Sequence, residues 1–220
     1  MLSQSDIAVI FAPDGVRVKG TMSPISKPQS VWHLVPHEMR GGNLYPLNQL
    51  RMRWPDVYAR AIAKYDNDPA RKLLPQRVIP KLGCLWNDVV QCAGLHPHHL
   101  YQALTERGMN ISPNLRFYQI PIDRLEGKPL AVYYSDPPEG REVGAALDDS
   151  EIDLLDVQAY REQSQLTART LNWYDHLASV GKVFGLFVGV PHIMVQGSID
   201  VRGVPVITWG EGCQGLCSQP

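Results

Sequence analysis

The sequence predicts an α+β protein whose sheet is mixed or antiparallel. Two observations carry this: the order strand and loop, helices, strands, helices, terminal strands, and the lack of the regular strand–helix alternation that a parallel sheet needs. A third is size: 220 residues with 44% hydrophobic content supply one sizeable core without staples.

Taken in order, residues 1–29 read as an N-terminal β-hairpin and linker. Ala12-Pro13-Asp14-Gly15 forms its turn, and Pro24 and Pro28 mark the linker. The main domain is expected over 30–209, opening with an apolar strand, Val31-Trp32-His33-Leu34, that carries one histidine. Residues 40–51 begin with Gly41-Gly42 and read as a loop wrapped over a site. A helix follows Trp54-Pro55, with Tyr58, Ala61, Ile62 and Tyr65 on one face and Arg60 and Lys64 off it.

Residues 78–80 read as a short strand and 96–108 as a helix closed at Gly108. Strands are expected at 115–120 and 130–134, an exposed loop at 136–150, and helices at 154–160 and 167–177. The apolar run 183–188 and the segment 191–199 read as a buried strand pair holding His192, followed by a strand at 204–209. Residues 210–220 are glycine-rich and read as a flexible tail.

A net charge of −1 gives no overall pull toward nucleic acid, although a local basic face would not show in that sum. Cys84, Cys92, Cys213 and Cys217 match no zinc spacing, so they read as reduced thiols in a cytoplasmic protein. No basic segment precedes an apolar run at the N-terminus, and eighteen consecutive apolar residues occur nowhere; neither an export signal nor a membrane span is expected. The G-x-G-x-x-G, P-loop, G-x-S-x-G and H-E-x-x-H signatures are absent, so any chemistry uses a less local constellation.

Three separated segments resemble the DarT-type ADP-ribosyltransferases, which move ADP-ribose from NAD to a nucleic-acid base. They are Val31-Trp32-His33-Leu34, then Asn87-Asp88-Val89-Val90 with His96-Pro97-His98-His99-Leu100-Tyr101, and finally Ile193-Met194-Val195-Gln196-Gly197-Ser198-Ile199. The resemblance implies an ADP-ribosyltransferase-type fold that binds NAD as substrate in a cleft between the opening and the tail strands. It implies that His33 and Tyr45 hold the nicotinamide-side ribose and that Arg51 grips the pyrophosphate, with Arg53 as substitute. Tyr101 is a candidate to stack on the nicotinamide or a base.

Where the family carries a catalytic glutamate, this chain has His192. His192, with Asp88 and Arg51, is therefore the catalytic candidate set. A neutral imidazole accepts a proton, whereas a protonated one opposes an oxocarbenium-like centre. RNA 2′-phosphotransferases, which share the broader fold, use histidine and arginine in place of the glutamate.

Each candidate also has a structural reading. His33 satisfied by a backbone carbonyl, Asp88 capping a turn and aromatics packed in the core are all common arrangements. Two readings from other classes stand beside the transferase. One is a non-catalytic interaction protein that keeps the fold, binds through the 136–150 loop and meets a protein partner or inhibitor. The other is a histidine-based phosphotransferase or hydrolase, the hydrolase using the His96 to His99 cluster with a metal; against it, adjacent histidines such as His98 and His99 point apart on a helix, and no metal site is expected in the main reading. In the transferase reading, the expected acceptor is a nucleic acid, as the resemblance implies, or a protein.

Overall fold

The computed structural model describes residues 29–66, 72–134, 147–181 and 187–212. The expected hairpin at 1–28, most of the 136–150 loop, most of the 183–188 run and the end of the tail lie outside these residues.

The described residues build a seven-stranded antiparallel sheet with helices on it, so the α+β expectation holds and the sheet is of the antiparallel kind. Its strands are β1 (Ser30–Leu34), β5 (Val89–Ala93), β6 (Arg116–Pro121), β7 (Leu130–Tyr133), β8 (Ile152–Leu154), β9 (His192–Gln196) and β11 (Val206–Thr208). They lie in the order β11-β6-β1-β5-β9-β7-β8. Two small pairs flank it: β2 (Asn43–Leu44) with β10 (Ile199–Asp200), and β3 (Val78–Ile79) with β4 (Cys84–Leu85).

Both faces of the sheet are covered, which is why Ile193, Met194 and Val195 form an unbroken apolar run. Successive side chains point to opposite faces. Val31, Val90, Cys92, Ile193 and Val195 join a core with Ile122, Leu125 and Tyr160 on one side. Trp32, Ala93 and Phe117 face the other side, where α3 (Pro97–Thr105) and α4 (Ala168–Ser179) lay down Leu100, Leu104 and Tyr174. Truncating a fully buried leucine such as Leu100 to alanine costs about 2–5 kcal/mol.

The caps are local. His96 Nδ1 accepts from His98 N–H at 3.2 Å, Pro97 occupies the first turn of α3, and Gly108 ends the region with a φ of +70°. Thr167 Oγ1 accepts from Thr170 N–H at the start of α4.

Four expectations are corrected. Residues 40–51 are not simply a loop: α1 (Leu47–Arg53) runs into α2 (Pro55–Ile62) through Trp54. Residues 154–160 are not a helix, because Ile152–Leu154 pairs with β7 and Asp156 Oδ1 then accepts from Gln158 N–H to make a turn. The segment 191–199 is not one strand; β9 stops at Gln196 and Gly197, at φ +83°, turns the chain toward β10. Phe187 and Val188 are in a turn, and β9 pairs with β5 and β7 instead. Side chains of α4 hold that turn: Tyr174 Oη donates to Val188 O at 3.1 Å and Thr170 Oγ1 to Gly189 O at 2.9 Å. Among the described residues, no helix is long and apolar enough to cross a membrane.

Candidate functional site

The ladder between β1 and β5 consists of one opposed pair, Trp32 with Ala93. Beyond it Leu34 and Gln91 do not pair, and a cavity of about 370 Å³ occupies the opening. Trp32, His33 and Leu34 line it from β1, Val89 to Ala93 from β5, and His192 from β9. Tyr45 and Leu50 close it from the β2–α1 region, and Ala61, Lys64 and Tyr65 from α2 and the turn after it. A second cavity of about 390 Å³ adjoins it, sharing His33, Pro36, Tyr45, Leu50 and Ala61. Both volumes fall within the range of about 300–1,000 Å³ usual for small-molecule sites.

His33 Nδ1 lies 2.6 Å from Leu34 O. A carbonyl only accepts, so Nδ1 carries the proton and the neutral ring offers Nε2 as an acceptor. Burial pulls His33 down from 6.5 to about 4; the Leu34 bond opposes this and Lys64 adds to it.

His192 sits opposite Ala93 on one side and Tyr133 on the other, with the Tyr133 ring centroid 5.8 Å away. Burial also lowers His192 to about 4, with the Val190 backbone opposing. Among the described residues, its buried Nδ1 finds no hydrogen-bond partner of good geometry. Both imidazoles are thus neutral at pH 7, able to accept hydrogen bonds and not present as cations.

The remaining sequence candidates separate. Tyr45 joins the two histidines in the cavity wall, edge-on to Trp54 at 5.3 Å, and the Arg53 guanidinium stands 4.9 Å from the Tyr45 ring centroid. Arg51 and Arg53 are both exposed and line neither cavity; of the two, Arg53 is the one in contact with a cavity residue, Tyr45. Asp88 also lines neither. Its Oδ1 accepts from Asn48 Nδ2 at 2.7 Å and its Oδ2 from Leu85 N–H at 3.0 Å, closing the turn Trp86–Asp88 and tying it to α1. Tyr101 packs against His98 and Trp209, on α3, away from both cavities.

His98 Nδ1 donates to Trp209 O at 2.7 Å, and the His96 ring lies 6.1 Å from that of His99. Among the described residues, no group of three or more His, Cys, Asp or Glu is placed to hold a metal ion. Cys92 lines the first cavity, but burial pushes its thiol up, away from the reactive thiolate.

Sequence reading passed over Val57, Arg60, Ala61 and Lys64 as site residues. They follow a 3-4-7 helical spacing, and all four line one or other cavity. The spacing was visible; the mixed polar and apolar character of the stripe hid it. Compared with protein families, curated proteins and solved structures, the chain matches none.

Proposed function

We propose that this protein is an NAD-dependent enzyme of ADP-ribosyltransferase type that transfers ADP-ribose to a nucleic acid or another acceptor. The observation that carries the reading is the convergence of His33 and Tyr45, near the start of the described chain, with His192, near its end, on one cavity where β1 and β5 part. A cleft bounded by the opening strand and a tail strand is what the family resemblance leads one to expect.

In this reading His33 Nε2 and Tyr45 hold the nicotinamide-side ribose. The bond between nicotinamide and the ribose carbon breaks, nicotinamide leaves with the bonding electrons as a neutral molecule, and positive charge develops on the sugar. A neutral His192 does not oppose that charge, and it takes the proton that the acceptor releases as it bonds to the ribose carbon. Asp88 has both oxygens engaged and lines neither cavity, which leaves His192 as the base at the cavity wall. Arg53, over Tyr45, takes the pyrophosphate role in place of Arg51.

The test is calorimetry with NAD on the unaltered protein and on His33→Ala, followed by chromatography of the mixtures for nicotinamide. Saturable binding that is lost in the variant, with nicotinamide released only by the unaltered protein, supports the reading. No binding at millimolar NAD overturns it.

A further inference from the structure

The segment between β1 and β2 is pinned at both ends. Val35 N–H donates to Arg116 O, and Val201 N–H donates to Gly42 O, each at 2.8 Å. Among the described residues, no backbone–backbone hydrogen bond ties down residues 36–41 between these anchors. Gly41 has a φ of +76°, so the segment leaves through a position suited to glycine.

Side chains hold the segment instead. On the inner side Tyr118 Oη donates to Met39 Sδ at 3.0 Å. On the outer side Arg40 grips both oxygens of Asp56 on α2, Nη1 to Oδ1 at 3.1 Å. Arg60, one turn along α2, bridges Asp56 at 3.0 Å and Glu38. Glu38, Met39 and Arg40 form one lip of the second cavity; Val57, Arg60 and Ala61 form the facing wall.

We propose that residues 36–41 are a gate over the second cavity, held shut by the ion-pair network of Glu38, Arg40, Asp56 and Arg60. Exposed pairs are individually weak, so the network biases the gate toward closure by roughly five- to tenfold and does not lock it. This strength suits a mouth that opens repeatedly. A ligand bearing an anion competes for Arg40 and Arg60 and thereby opens its own way in. The identity of that ligand rests on the function proposed above; the test below uses no nucleotide, so the gate and the NAD reading fail separately.

The experiment measures alkylation of Val57→Cys by N-ethylmaleimide, a small neutral reagent, with the labelled residue located by mass spectrometry. Val57 is buried in the cavity wall, and the exchange is nearly isosteric. Raising salt from about 0.01 M to about 1 M shrinks the screening length from about 30 Å to about 3 Å. Labelling of the introduced thiol is expected to accelerate about five- to tenfold over that range. Adding Asp56→Asn, which leaves the Glu38–Arg60 pair in place, produces part of this acceleration at low salt, and salt supplies the rest. Leu44→Cys, which also lines this cavity, gives the same pattern. The native Cys84, which lines neither cavity, keeps a constant slow rate. A rate indifferent to both salt and Asp56→Asn overturns the gate, and so does a parallel rise at Cys84.

Discussion

His33 and His192 line one cavity although β5 lies between their strands in the sheet. Neither ring has a carboxylate partner among the described residues, and burial keeps both neutral. In the reaction proposed above, their roles divide between holding substrate and handling the proton. His33→Ala is expected to weaken NAD binding beyond detection by calorimetry. His192→Gln leaves the NAD dissociation constant within about threefold and slows ADP-ribose transfer by about 100-fold, the usual size of a lost acid–base group. Equal losses of binding in the two variants would assign His192 to positioning instead.

The same burial makes stability depend on acid. Each folded-state value of about 4 lies below the ordinary 6.5, so the unfolded chain takes up protons first as pH falls. The stabilisation is fully present above pH 6.5 and declines toward pH 4, by up to about 1.4 kcal/mol per pH unit for each histidine. Urea unfolding at pH 7 and pH 5 checks it. The double variant His33→Gln, His192→Gln should show a shallower loss between those two values, and an unchanged loss refutes the account.

Asp88 is expected to act on the fold. Asp88→Ala leaves the Leu85 N–H and the Asn48 amide without their acceptor, at a cost of about 1–3 kcal/mol. Adding Asn48→Ala in that background costs little more, because the two share one bond. Thermal melts of the four proteins in the cycle give the coupling. Transfer per folded molecule stays unchanged; its loss in a protein that melts normally would return Asp88 to the chemistry.

The arginines of α1 provide a third contrast. Arg53→Ala is expected to weaken NAD binding about tenfold, as for one charge-assisted hydrogen bond, and Arg51→Ala less than twofold. Calorimetry on both variants decides it, and the reverse order would restore the assignment first made to Arg51.

Much of this was legible in the sequence. The strands around Trp32 and Met194 are apolar on both faces, and the helices carrying Leu100 and Tyr174 have clear stripes, so each announced itself. His33 and His192 stood out as single polar groups in apolar strands. The elements missed have no such signature. No residue of α1 is buried, so its seven residues show no stripe; Asn48 holds it to Asp88 from outside. The three residues of β8 are too few to tell period 2 from period 3.6. Arg51 and Arg53 are separated by roughly 200° around the helix, so only one faces Tyr45, and which one depends on how Trp54 turns the chain. Tyr101 has the spacing shared by core and ligand-stacking aromatics, and tertiary packing gave it to the core.

The central place of β1 bears on how the chain is made. Both neighbours of this strand, β5 and β6, come later in the sequence, and the farther ends at Pro121. On a ribosome adding about 5–20 residues per second, the strand bearing His33 waits on the order of ten seconds for its second partner. Until β6 follows β5, one edge of this strand stays unpaired, so nascent chains halted between β5 and β6 should be the ones that chaperones hold.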